Sequence, residues 1–168
     1  TTTSMGRLFD AVAALCGAGD VNGYEGQVAI ALEQLARRSL ATHGTPTPFD
    51  LDFDRDAADG TVVLPGSQLV AAVASDLDAG AAPADVSARF HATVAAFTHE
   101  ALRHLRTRTG VATVALTGGV FQNAVLLEDL AARLRSDGFD VLVHRRVPTN
   151  DGGISLGQAI VASQQQHT

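Results

Sequence analysis

Two hydrophobic periods organise this chain. Between 4 and 17, Leu8, Val12 and Leu15 recur at helical spacing behind Ser4, whose hydroxyl suits an N-cap, so a helix is predicted there. Gly17-Ala18-Gly19-Asp20 reads as a loop and Asn22-Gly23 as a turn. A second helix follows over 24–39, with Val28, Ile30, Leu32 and Leu35 as its apolar positions. The Pro- and Thr-rich run from His43 to Pro48 is a connection. Strict alternation then predicts a strand over 49–54, and Asp59-Gly60 introduces a hairpin-like return through Thr61-Val62-Val63-Leu64.

The helical period resumes after Ser67, a candidate cap for a helix to about Asp78. Pro83 opens the longest helix, which carries Val86, Phe90, Val94, Phe97, Ala101 and Leu105 and closes at about Thr109 before Gly110. The last third alternates: strand 111–116, helix 123–137, Gly138, strand 140–147, the loop 148–153 and a closing helix to about 163. Strand, helix, strand and helix in that order imply an α/β fold, a sheet layered with helices.

At 168 residues the chain is one domain in length, and 46% hydrophobic against 18% charged residues is an ordinary globular composition. A net charge of −6 argues against a broad surface for nucleic acid or anionic membrane. Arg103, Arg106 and Arg108 read as a solvated helix face; Arg145 and Arg146 are a second local group. Cys16 is the sole cysteine and lies in an apolar run, so it reads as a buried thiol, with no intrachain disulfide. No apolar stretch reaches the ~20 residues of a membrane span, and no signal peptide is visible, so the expected location is the cytoplasm. TTTSMGRLFDA lacks an initiator methionine and enters an amphipathic pattern almost at once, the look of a piece cut from a longer polypeptide.

Metal signatures are sparse. An EF-hand loop from Asp52 would need glycine at its sixth position and glutamate at its twelfth, where Ala57 and Val63 stand. His91, His99 and His104 have no i, i+4 pair among them, and are read as packing or surface histidines. The chemistry-bearing candidates are instead two glycine pairs, Gly118-Gly119 and Gly152-Gly153, each expected where a strand gives way to a helix. Missing Cβ atoms let a ligand reach the main chain, and a helix N-terminus offers N–H donors to an anion. Asn123 either caps its helix or turns its amide toward a base or ribose. Asp151 is an N-cap or a metal ligand. Neither GxGxxG nor GxxxxGK[ST] occurs, so dinucleotide-fingerprint and P-loop readings lose support.

Five separated motifs then converge. TTTSMGRLFDAVAALCG (1–17), NGYEGQVAIALE (22–33), SARFHATVAAF (87–97), ALTGGVFQNAVLLEDL (115–130) and VPTNDGGISLGQAIVA (147–162) resemble, in order, the C-terminal part of the HypF hydrogenase maturation carbamoyltransferases. The turn 117–123 is also similar to the adenosine-contacting turn in the second lobe of the actin, sugar-kinase and heat-shock ATPase superfamily. The resemblance implies that lobe's α/β fold, a central mixed sheet of five strands with helices packed against it. It makes 1–168 a single domain, the second lobe of a two-lobe unit whose first lobe is absent from this chain.

In that family an adenylate-forming module makes carbamoyl-adenylate from carbamoyl phosphate and ATP. The C-terminal module passes the carbamoyl group to a cysteine of a thiol-bearing maturation partner of the HypE type, toward the cyanide ligand of nickel–iron hydrogenases. The resemblance implies that Gly118, Gly119 and Asn123 contact the nucleotide and that Asp10 and Glu25 approach its ribose. Asp151 would complete a site for a divalent metal, iron or zinc, shared with the first lobe; Asn150 takes that place if the loop is shifted by one. Arg7 has no assigned role. The family's pair of histidines four apart is missing, and so are the first-lobe phosphate loop and the upstream modules. The expectation is therefore a chain that binds nucleotide weakly and does not turn over alone. Two alternatives stand beside it: a lobe of an O-carbamoyltransferase of natural-product biosynthesis, and a nucleotide-binding interaction module without chemistry.

Overall fold

A computed structural model describes residues 4–51 and 62–165. Its helices are α1 (Met5–Leu15), α2 (Gln27–His43), α3 (Gly66–Asp78), α4 (Pro83–Thr109), α5 (Ala124–Ser136) and α6 (Ile154–Gln165), and its strands β1 (Thr113–Leu116) and β2 (Asp140–Val143). The α/β class expected from the motif order is the class observed. Among the described residues the sheet is two parallel strands, with Thr113 opposite Asp140 and Leu116 opposite Val143. That is narrower than a mixed five-stranded sheet. Residues 52–54 of the alternating run 49–54 and the start of its return at Thr61 lie outside the described residues.

The core forms around α4. Ten of its residues from Val86 to Phe97 are buried, on every side of the helix. Phe90 is enclosed by Phe9 of α1, edge to face at 4.9 Å, and the same cluster takes in Leu32 of α2, Leu69 and Val73 of α3 and Leu130 and Leu134 of α5. Polar groups inside this helix are bonded. Ser87 Oγ donates to the Leu32 carbonyl at 2.7 Å, and Thr93 Oγ1 accepts the Phe49 N–H at 2.8 Å. These satisfy groups whose burial would otherwise cost stability.

Several sequence expectations shift by a residue or more. In α1 the buried face is Phe9, Val12, Ala13 and Cys16, while Leu15 is exposed and Leu8 only partly covered. Phenylalanine against Phe90 outweighs leucine in setting the rotation. Ile30 and Leu105 are exposed, the first because it faces a cleft and the second because it lies beyond Phe97 and Leu102, the last apolar positions of α4 against the core. Helix α3 begins at Gly66 behind Pro65 with no side-chain cap, so Ser67 does not cap it. Helix α2 starts at Gln27, where Asn22 Oδ1 accepts the Val28 N–H at 3.0 Å and Gln27 Oε1 accepts the Gly23 N–H at 2.7 Å. Arg106 is not on a solvated face: its guanidinium lies 4.0 Å from the Phe139 ring centre and donates to the Asp137 carbonyl at 2.7 Å. Ser4 caps α1 as expected, and Cys16 is a buried thiol whose pKa desolvation raises to about 11.

Two measurements check this account. Phe90→Ala is expected to cost about 3–5 kcal/mol in urea unfolding, because a large void opens at the contact of α1 with α4. Asp85, in the first turn of α4, accepts from Ser39 Oγ at 2.6 Å and lies 2.9 Å from His43 Nδ1; these bonds, Ser39's first, lower its pKa below 3.8. A pKa lower in the folded state than in the unfolded one stabilises above the unfolded value and is lost as pH falls through the folded one. Urea midpoints taken between about pH 5 and pH 2 should thus fall less steeply for Asp85→Asn than for the parent chain.

Candidate functional site

The two glycine loops meet. Gly118 N–H donates to the Thr149 carbonyl at 2.8 Å, and Thr149 Oγ1 donates back to the Gly118 carbonyl at 3.1 Å. Gly118 has φ +102°, a backbone angle that side chains disfavour, and this lets the chain leave β1 and turn at once into a 3-10 turn over Gly119–Gln122. The second loop, after β2, holds a 3-10 turn over Asp151–Gly153 that is capped by Asn150, whose Oδ1 accepts the Gly152 N–H at 3.1 Å.

The two glycine pairs are bare for different reasons. A Cβ added at Gly118 or Gly119 would meet nothing within 4 Å. One at Gly153 would sit 2.9 Å from the Pro148 carbonyl oxygen, and one at Gly152 would sit 3.0 Å from the Pro148 ring. The first pair leaves space that belongs to solvent or a ligand; the second is required by close packing of its own loop.

Both loops border one cleft of about 640 Å³, whose other side is α1 and the turn into α2. Gly119, Asn123 and Asp151 are brought together there with Asp10 and Glu25, while Gly118, one residue back, is the strap between the loops. Phe9, Ala29, Ile30 and Val120 supply an apolar floor. Among the described residues, the acids that line the cleft are Asp10, Glu25, Glu33 and Asp151, and the one cation is Arg7. Such a wall accepts hydrogen bonds from hydroxyls and repels phosphate.

The N-terminus of α5, the expected anion site, is already filled. Asn123 Oδ1 accepts the Leu126 N–H at 2.9 Å, which realises the capping alternative, and Glu33 Oε1 accepts the Ala124 N–H at 3.2 Å. Glu33 is buried and also holds Arg37 Nε at 3.0 Å. Sequence reading passed over it, although a glutamate next to Leu32 on the buried face of α2 is an unusual choice that signals a fixed partner. His91 was expected to be a packing or surface residue. It is buried, and its Nε2 lies 2.9 Å from Asn123 Nδ2, a pairing no local spacing shows.

The metal expectation meets a single donor. Asp151 is exposed at the cleft, and among the described residues there is no group of three His, Cys, Asp or Glu side chains able to hold an ion. A lone carboxylate suits one coordination position of a divalent cation and leaves the others to be supplied from elsewhere. Asn150, the alternative, has its side-chain oxygen turned to the Gly152 N–H.

The glycine geometry gives opposite expectations for two small substitutions. Gly119→Ala should leave thermal stability within about 0.5 kcal/mol of the parent, as it fills open space. Gly153→Ala should destabilise by about 1–3 kcal/mol, since the methyl group collides with main chain. Paired thermal melts read both directly.

Comparison with known proteins follows the same outline. Residues 1–158 match the family described as carbamoyltransferase, Kae1-like domain, second subdomain. The chain is 42% identical over 164 residues to the carbamoyltransferase HypF of Rhodobacter capsulatus, covering 96% of this chain and 20% of that protein. It is 36% identical over 186 residues to carbamoyltransferase HypF2 of Cupriavidus necator, covering 98% of this chain and 22% of that protein. A crystal structure of full-length HypF in its phosphate- and nucleotide-bound form superposes with a TM-score of 0.85 at 38% identity, covering 98% of this chain and 21% of that one. The chain thus spans about a fifth of the length of these relatives. With its fold, its cleft and these likenesses in agreement, the chain belongs to the HypF carbamoyltransferase family, as the second subdomain of the Kae1-like domain.

Proposed function

We propose that this chain is the nucleoside-side wall of a two-lobe carbamoyltransferase site. In this reading the adenosine end of carbamoyl-adenylate lies along Gly118 and Gly119, against the apolar floor. Its ribose hydroxyls donate to Asp10 and Glu25, and its base meets the free edge of the Asn123 amide. The observation that carries the reading is the open space over Gly119, which shares one cleft with the acids of α1 and the α2 turn. The crystallised full-length HypF is nucleotide-bound, which supports nucleotide binding in the family.

The same wall explains why the lobe needs a counterpart. Charge that develops on a transferring acyl group must be stabilised by donors or cations, and this cleft offers chiefly acceptors. A first lobe would supply the phosphate-binding groups and the remaining ligands of a divalent metal, iron or zinc, to which Asp151 adds its carboxylate. The metal's contribution when bound is to polarise the carbonyl it touches. The chain's own residues hold and orient the nucleoside so that the carbamoyl group faces the incoming thiolate of a HypE-type partner. In this reading the counterpart covers α6. None of its residues is buried, and Ile154, Leu156, Ile160 and Val161 are exposed. A helix this apolar and this uncovered is a surface for another part of the enzyme, in the cytoplasm.

Calorimetry on the 168-residue chain is expected to show weak AMP binding, with adenosine nearly as good as AMP because the phosphate finds few donors. Asp10→Asn with Glu25→Gln should lower that affinity about tenfold or more, the loss of two charge-assisted bonds. Carbamoyl transfer by the isolated chain, or a strong preference for AMP over adenosine, would overturn the half-site reading.

A further inference from the structure

We propose that His91, which does not line the cleft, is a positioning residue for the nucleotide wall: as the neutral Nδ1–H tautomer it locks the Asn123 amide in the one orientation that caps α5 and holds the turn 119–122 in place. The consequence for affinity rests on the nucleotide reading above; the lock itself does not.

The directions of the hydrogen bonds carry the argument. His91 Nδ1 lies 2.8 Å from the Ser87 carbonyl, which only accepts, so Nδ1 bears the proton. Nε2 is then a bare acceptor, and it takes an N–H of Asn123 Nδ2 at 2.9 Å. Asn123 Oδ1 consequently faces the Leu126 N–H at 2.9 Å. The three bonds of this row, from Nδ1 to the Ser87 carbonyl, from Nδ2 to Nε2 and from the Leu126 N–H to Oδ1, are compatible in one arrangement only. A protonated His91 would set Nε2–H against Nδ2–H, and turning the amide over would set Nδ2–H against the Leu126 N–H. Either outcome breaks one bond in a place shut off from water, since His91 is 1% and Asn123 8% exposed.

The surroundings keep the ring neutral and still. Phe9 of α1 and Phe90 of α4 meet the imidazole edge to face at 5.3 and 5.6 Å. Burial lowers the His91 pKa; the Ser87 bond and the charge of Glu33 on α2 push the other way and are outweighed. Glu33 is the ionisable neighbour on α2, held by Arg37 and by the Ala124 N–H, and Asp10 of α1 follows Phe9 into the cleft. The lock thus joins the buried spine, through a single imidazole, to the N-cap residue of α5.

The test uses the 168-residue chain labelled with nitrogen-15. Ring nitrogen shifts should show His91 as the Nδ1–H tautomer near neutral pH; the other tautomer, or fast exchange between the two, overturns the proposal. His91→Gln keeps an acceptor near the Nε2 position, and His91→Leu removes it, while both lose the ring and the Ser87 bond. AMP affinity should stay within about twofold for the glutamine variant and fall about tenfold for the leucine variant, compared at a temperature where both are folded. Equal losses would mean mere packing and would sink the idea. Should the parent chain bind no AMP, the nucleotide reading fails, and the tautomer with the Asn123 side-chain amide shifts still decides the lock. Should neither variant fold, the parent's tautomer decides it alone.

Discussion

Two hydrogen bonds between Gly118 and Thr149 set the geometry on which the cleft depends. The loops they join lie thirty-one positions apart, after parallel strands, and a parallel pair needs a crossover long enough to hold a helix. Helix α5 is that crossover. With β1 and β2 in register, both strands end at the same edge, and the chain must turn twice within a few ångströms. Joining the turns main chain to main chain leaves Gly119 on one side and Asp151 on the other with nothing between them but the cleft. Without the reciprocal bonds each loop would be an independent excursion, and the placement of Asp151 relative to the bare glycines would be left to chance.

Much of this was legible in the residues. Helix α4 runs between its expected ends because Pro83 and Gly110 bracket it, and the bracket is local chemistry. Helix α5 begins after Asn123 for the same reason. What the pattern missed depended on partners distant in sequence. The rotation of α1 follows Phe9 seeking Phe90, and periodicity weighs leucine at 8 and 15 as heavily as phenylalanine at 9. The expected strands, 111–116 and 140–147, are longer than the four residues that pair in each, because pairing depends on the partner strand and not on local composition. The glycine pairs looked alike on paper; only the position of Pro148 separates a pair that is crowded from a pair that is open. Glu33 and His91 were invisible as site residues because each acts through a group more than thirty residues away.

The chemistry of the wall constrains what the molecule does on its own. Four acids against one arginine give a cleft suited to neutral or cationic groups, and a triphosphate or acyl phosphate placed wholly inside it would face repulsion. An enzyme that handles an adenylate with such a wall must put the cations across from it. The exposed apolar helix α6 argues from a different direction to the same end, since uncovered leucine, isoleucine and valine side chains over about two turns favour burial against another surface. A bland interaction module would have no need for open backbone at Gly119 in a cleft lined by acids, and the O-carbamoyltransferase alternative has no support from the relatives named above, which are HypF carbamoyltransferases.

Precision in a half-site has to come from inside the half that holds it. Here the cleft-facing turn is short and exposed at Gly119, which would make it a poor platform if it stood alone. It is anchored at both ends. Its start is tied to the second loop through Thr149, and its end is tied through Asn123 to an imidazole packed between two phenylalanines of the core. The second anchor converts packing into orientation, because a carbonyl that only accepts fixes the tautomer and the tautomer fixes the amide. A rigid spine under a bare turn lets the backbone itself serve as the recognition surface without side chains that would have to be ordered on binding.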